Sequence, residues 1–292
     1  MDNFDLNISN YSVKELEEIL TLVPNYNEQD IDYNKDKICK KIMNDTTLSF
    51  DAKVKLGDFF EVHEGVHSGN MRNELFINRR LDKTCRELLF GRGEISPYFL
   101  KWEGKYINLG AMPNAKSKKK YANIGNQEWY ERDKLLIRRT GDYVLAAVDQ
   151  EHRYASNNFF IVFPKVRTAL DLNGLSALLN SRFITWYFRT IEPRQGRVFA
   201  ELKIKHISTF SLPATILKAG SCDELNQLGA MRKKIATDKE STKTPDAALR
   251  LQRKCDILDN KIDSLVLKML SIDPKHINLN GGEPCLEEEH AA

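Results

Sequence analysis

From Leu56 onward the chain breaks into short runs of β-branched and aromatic residues separated by Gly, Asn and Pro, and this texture limits its fold more than any other feature. Runs this short cannot sustain a helical apolar face, but they suit pleated strands that pair with one another. Strands are predicted at Asp58–His63, Leu75–Ile77, Tyr106–Asn108, Lys134–Arg139, Tyr143–Val148 and Asn158–Phe163. Thr140-Gly141-Asp142 between the fourth and fifth reads as a hairpin turn, with Gly supplying the bend.

Helical patterns flank and follow these strands. Leu172–Ile191 reads as one long amphipathic helix whose Leu175, Leu178, Leu179, Ile184, Trp186 and Phe188 face a core. After Leu212-Pro213 a helix is predicted from Cys222 to Ile235, with a polar break at Thr237–Asp246. A second helix of about twenty residues follows, carried by Leu249, Ile257, Leu258, Ile262, Leu265, Val266 and Met269. The two are expected to pair antiparallel. Near the start, Ser12 and Glu15 form a capping box ahead of Val13, Leu16, Ile19 and Leu20, and a second helical pattern covers Asn34–Met43. The tail from Asp273 holds Pro274, Gly281, Gly282 and Pro284 and is expected to be poorly ordered. The fold class expected is α+β: a mixed β-sheet domain at 56–217, a small helical module at 1–55, and a helical hairpin with a tail at 218–292.

Charge divides the chain the same way. Residues 1–55 carry 7 Lys/Arg against 11 Asp/Glu, net −4; residues 56–217 carry 25 against 17, net +8; residues 218–292 carry 12 against 13, net −1. A local basic excess points to a polyanionic partner for the middle segment. No stretch approaches ~20 consecutive apolar residues, and the first thirty lack a signal-peptide progression. A cytoplasmic protein without a membrane segment is expected. Cys39, Cys85, Cys222, Cys255 and Cys285 are scattered, with no CxxC pair, and read as free thiols.

One catalytic-looking motif is present. His63-Glu64-Gly65-Val66-His67 spells HExxH, which binds zinc only when both imidazoles share one helix face. Here Phe59-Phe60-Glu61-Val62 precede it, Gly65 interrupts it and Ser68-Gly69-Asn70 follows, so the segment reads as a strand and turn. There is no P-loop or Gly-x-Ser-x-Gly elbow, and Gly91-Arg92-Gly93 lacks the remainder of a dinucleotide fingerprint. Neither a catalytic nor a metal residue is assigned, and no cofactor is expected on this chain.

The basic residues form the stronger constellation. Lys116, Lys118, Lys119 and Lys120 follow Met112-Pro113-Asn114 and suit an exposed loop laid along phosphates. Arg138 and Arg139 close a predicted strand and must point to opposite faces, so that one pairs internally while the other reaches outward. Arg194-Gln195-Gly196-Arg197 places a close-approach Gly between donors; it reads equally as a helix-ending turn with arginines at the negative dipole end.

In order, several segments resemble the TaqI-like C-terminal specificity domain, the target-recognition domain of adenine-specific DNA methyltransferases and combined restriction-modification enzymes. They are Val62 with Gly65-Val66-His67-Ser68-Gly69-Asn70; Leu89-Phe90-Gly91-Arg92-Gly93-Glu94-Ile95 with Tyr98; Lys134 to Gly141; Asn157-Asn158; Leu178-Leu179-Asn180-Ser181; and Gly196 to Lys205 before Leu212-Pro213. The resemblance covers residues 56–217 and implies a domain whose loops read base edges while basic residues hold the backbone. It assigns DNA contact to Ser68, Gly69, Asn70, Arg72, Lys118, Lys119, Lys120, Arg138, Arg139, Arg194 and Arg197.

Full enzymes of this kind use S-adenosylmethionine and an Asn-Pro-Pro-Tyr-type motif on a separate domain; this chain contains neither Asn-Pro-Pro nor Asp-Pro-Pro. The expectation is a DNA-binding specificity domain that works with a methyltransferase or nuclease subunit. The rivals are one part of a split or truncated methyltransferase or endonuclease, and a protein-interaction scaffold. Residues 10–19, with Asn44-Asp45 and Lys53 onward, resemble a short helical module at the start of many giant-virus proteins. That likeness implies a viral gene in which a recognition domain acquired a new N-terminal module, acting in a host cytoplasm, or otherwise in a bacterial one.

Overall fold

The computed structural model describes residues 53–116, 119–141, 143–191, 201–214, 218 and 220–270. The expectations for residues 1–52 and for the tail beyond 270 lie outside these residues. In chain order the elements begin with β1 (Lys53–Lys55), a helical turn α1 (Leu56–Phe59), β2 (Phe60–Glu64), α2 (Arg72–Leu75), β3 (Phe76–Ile77), β4 (Cys85–Leu89), β5 (Ile95–Ser96), β6 (Phe99–Leu100) and β7 (Tyr106–Asn108). They continue with β8 (Lys134–Arg138), β9 (Ala146–Asp149), β10 (Tyr154–Ala155), β11 (Phe159–Pro164), α3 (Leu172–Asn180), α4 (Arg182–Ile191), α5 (Ile204–Ser208), β12 (Ser211–Pro213), α6 (Asp223–Ser241) and α7 (Pro245–Met269). Mixed sheets with segregated helices make the fold α+β.

The central layer is an antiparallel sheet in the order β2-β11-β8-β9. Its two inner strands, Leu135-Leu136-Ile137 and Phe159-Phe160-Ile161-Val162-Phe163, are continuous apolar runs because both faces are covered. Leu135, Ile137, Phe160 and Val162 join one core with the helices, including Leu175, Leu178, Phe183, Leu258, Ile262 and Val266. Leu136, Phe159, Ile161 and Phe163 join a second core with Leu75, Leu88, Leu89 and Ile107 of a smaller sheet, in the order β10-β4-β7-β3. In that smaller sheet β10 runs parallel to β4, and the other pairs are antiparallel.

Several boundaries differ from the sequence reading. Asp58 and Phe59 lie in α1, so the second strand starts at Phe60, and Leu75 ends a helical turn instead of opening a strand. The hairpin pairs Lys134 with Asp149 and Ile137 with Ala146; Tyr143–Leu145 belong to its connection. Residues 172–191 form two helices, because Ser181 leaves helical geometry with ψ of 150°. Its hydroxyl donates to Leu178 O at 2.7 Å and accepts from Ile184 N at 3.3 Å, ending α3 and starting α4. The break expected at Thr237–Asp246 shrinks to Thr242–Thr244, since Thr237 bonds back to Lys233 O and Lys239 reaches Gln252 across the pair. Arg232 meets Asp259 while Lys239 meets Gln252, and that falling register makes α6 and α7 antiparallel. Lys53–Lys55 pair with Ser211–Pro213, tying the start of the described chain to the end of the sheet domain.

Candidate nucleic-acid interface

The segment that spells HExxH is extended. His63 lies on β2, Gly65 N donates to Phe159 O at 3.0 Å, and Val66 N donates to Ala155 O at 2.8 Å. A Cβ on Gly65 would lie 2.2 Å from Ser156 O, so this close approach of two backbones requires glycine. The imidazoles take separate partners. His63 stacks on Trp129 at 3.7 Å and bonds Glu61, whereas His67 bonds Glu64. Among the described residues no group of three or more His, Cys, Asp or Glu side chains is arranged to hold a metal.

Beyond Gly65 the loops converge on the Ser156-Asn157-Asn158 turn. Asn157 N donates to Val66 O at 3.0 Å, and its side-chain amide lies 3.4 Å from His67 Nδ1. Ser156 Oγ and Asn158 Nδ2 both donate to Phe90 O, each at 2.7 Å, which pins the loop that follows β4. Buried Glu94 fixes the same loop from inside: its carboxylate accepts from Phe90 N, from Gly91 N at 2.8 Å and from Glu103 N at 3.2 Å. A carboxylate receiving three backbone donors replaces a strand ladder where the chain turns. The turn therefore ties together three stretches that are far apart in sequence.

Cations lie along this rim. Arg139 N donates to Asn158 O at 2.9 Å, and its guanidinium meets Glu201 at 2.6 Å and Glu64 at 3.4 Å. Arg72 lies 4.8 Å from the centre of the Phe90 ring and Lys105 lies 5.1 Å from it, so one half-buried ring carries two cations. Lys120 pairs with Glu74 at 2.5 Å, and Lys119 is exposed. Residues 70–122, which form most of the smaller sheet and its loops, hold 12 Lys/Arg against 5 Asp/Glu, net +7. Nearly all the basic excess of the middle segment thus falls within this stretch of sequence.

Ser68, Gly69, Asn70, Arg72, Lys119, Lys120 and Arg139 are brought to this rim. Asn70, expected to face DNA, spends its amide on the protein: Nδ2 donates to Lys119 O at 2.8 Å and Oδ1 accepts from Tyr121 N at 2.7 Å. Arg138, expected to contact DNA, is instead buried, stacked 4.9 Å from the Tyr143 ring beside Gly141. Arg139 is the more exposed of the two and lies on the rim, but half-buried and ion-paired to Glu201. Lys118, Arg194 and Arg197 lie outside the described residues, as do the side chain of Lys116 and that of Arg92. Sequence reasoning missed Lys105, Tyr121 and Glu201. Only tertiary contact with Phe90, Gly69 and Arg139 gives them a place.

Residues 86–212 match the family model of the TaqI-like C-terminal specificity domain. The match begins downstream of Gly65–Asn70, and no curated protein matches the chain. Among solved structures the chain is similar to one from a study of complex assembly in a type I restriction-modification system, at 11% identity and a TM-score of 0.39, covering 88% of this chain and 56% of that one. It is similar to the type IIL restriction-modification enzyme MmeI in complex with DNA, at 10% identity and a TM-score of 0.42, covering 72% and 33%. A third is the HsdS subunit from Thermoanaerobacter tengcongensis, at 10% identity and a TM-score of 0.37, covering 88% and 55%. The chain spans between a third and just over half of the length of these structures.

Proposed function

We propose that the TaqI-like specificity domain at residues 86–212, with the Gly65–Asn70 segment packed against it, grips duplex DNA along the Ser156–Asn158 rim and directs a separate catalytic chain to its target. The observation that carries this reading is convergence. Segments separated by up to ninety residues meet at one turn, as in the Asn157–His67 contact, and the cations Arg72, Lys105, Lys119, Lys120 and Arg139 lie along it.

The division of work follows from how each group is held. Exposed ammonium groups such as Lys119 suit phosphate oxygens, which fix register without reading sequence. The loop after β4, pinned by Glu94, Ser156 and Asn158, is stiff enough to present side chains to a groove at little entropic cost on binding. Methyl transfer or strand cleavage, with its S-adenosylmethionine or metal, belongs in this reading to a partner subunit.

Fluorescence anisotropy of the full chain against a labelled random-sequence duplex, measured across a salt series, tests the reading. Binding that weakens log-linearly with salt supports it. Undetectable binding at low salt overturns it.

A further inference from the structure

We infer that Tyr121 is a base-stacking residue, whose ring takes the face of a nucleobase that has left the duplex stack. The inference rests on the DNA-binding reading and adds a contact that the basic rim alone does not provide. Tyr121 is the most exposed large apolar side chain among the described residues, at 62%. Its mount is nonetheless stiff: Asn70 N donates to Tyr121 O at 3.2 Å, Asn70 Oδ1 accepts from Tyr121 N at 2.7 Å, and Asn70 Nδ2 holds Lys119 O. Two residues on, His67 and Asn123 exchange backbone hydrogen bonds of 2.8 Å in both directions.

Gly69 completes the mount. Its φ is +51°, and a Cβ there would lie 2.1 Å from Tyr121 O and 2.7 Å from Tyr121 Cδ1, so ring and backbone both rest against the glycine. Of the nearby amides, Asn70 is committed to the backbone at both ends, and Asn123 Oδ1 accepts from Gly125 N at 2.9 Å. What this corner offers a nucleic acid is therefore a ring with Lys119 and Lys120 beside it. An exposed aromatic on a fixed backbone loses little freedom on binding, and stacking accepts any base because every base has a π-face. The neighbouring ammonium groups would hold the flanking phosphates.

The test compares a labelled random-sequence duplex with the same duplex carrying a short central bubble that contains 2-aminopurine, using the full chain. Wild type is expected to bind the bubbled duplex more tightly than the paired one and to quench the 2-aminopurine. Tyr121→Ala should lose about thirtyfold in affinity for the bubbled duplex, mid-range for a base–aromatic stack, and abolish the quenching. Tyr121→Phe should keep both. If wild type binds DNA but shows neither bubble preference nor quenching, or if the Ala variant matches wild type on both substrates, the inference falls and the DNA-binding reading stands. If wild type binds no DNA, both fall.

Discussion

Arg139 Nε donates to Glu201 at 2.6 Å while its guanidinium lies 3.4 Å from Glu64, so the cation at the centre of the rim faces two carboxylates. A phosphate approaching Arg139 must compete with them. Glu201→Gln is expected to tighten duplex binding by up to about fivefold, since an exposed pair is worth at most ~1 kcal/mol. Arg139→Gln is expected to weaken binding. Parallel anisotropy titrations of the two variants check both signs, and a Glu201→Gln variant that binds more weakly than wild type would count against Arg139 as a phosphate ligand.

Lys119 and Lys120 differ in how free they are. Lys119 is exposed, whereas Lys120 is shared with Glu74. Lys119→Gln is expected to reduce the slope of log affinity against log salt by about 1, the value for one lost phosphate contact, and to do so equally for unrelated duplex sequences. A salt titration on two unrelated duplexes measures this. A loss confined to one sequence would instead mark Lys119 as a base reader.

The fully buried pair Lys134–Asp149 joins opposite residues of β8 and β9 at 2.6 Å, with Lys134 also donating to Tyr130 O at 2.9 Å. Burial pulls the Lys134 ammonium below its ordinary range, against the pull of Asp149. Lys134→Met removes the ammonium but leaves Asp149 with the Arg153 guanidinium at 3.7 Å and the Arg153 and Glu151 amides at 2.8 and 3.3 Å, and is expected to cost about 3 kcal/mol, the low end for a broken buried pair. Urea unfolding monitored by circular dichroism reads the loss. Recovery of stability on adding Asp149→Leu would identify the lost Lys134–Asp149 contact as its cause.

Burial raises the hydroxyl pKa of three tyrosines: Tyr98 and Tyr130 well above 10, and Tyr154 to about 12. A group whose folded value is raised gives stability that is complete below its unfolded value of 10.0 and is lost as pH climbs toward the folded one. Lys134 and Lys233 act in the opposite sense, because burial makes the folded protein shed those protons first, while Cys222 and Cys255, raised by burial above their ordinary 9.0, act with the tyrosines. The urea midpoint is therefore expected to hold up to about pH 9 and fall above it. A urea midpoint that stays level or rises between about pH 9 and 12 would contradict the assignment.

Tyr154 lies stacked on Tyr130 at 4.1 Å, and its buried hydroxyl meets no hydrogen-bond partner among the described residues. Tyr154→Phe keeps the ring and removes the unsatisfied group. It is expected to raise stability by about 1 kcal/mol, readable as a higher urea midpoint at unchanged slope.

The sequence by itself determined the class of the fold and the order of its parts. Short β-branched and aromatic runs marked strands at Lys134–Arg139 and Asn158–Phe163, and 3.6-residue spacing marked the paired helices, because burial writes its period directly into the chain, while burial of the inner strands on both faces came from the fold. The basic middle was legible for the same reason: charge is a property of composition. Tertiary structure decided which polar groups are free to act. Asn70 reads as a donor and acceptor facing solvent until Lys119 O and Tyr121 N claim both ends of its amide, and Arg139 reads as a bare cation until Glu64 and Glu201 flank it. Those partners lie about fifty residues from Asn70, and more than sixty from Arg139 on either side. Local spacing holds no record of contacts made at such range, so the exposed ring of Tyr121, mounted on Gly69 across the same gap, emerged only from the fold.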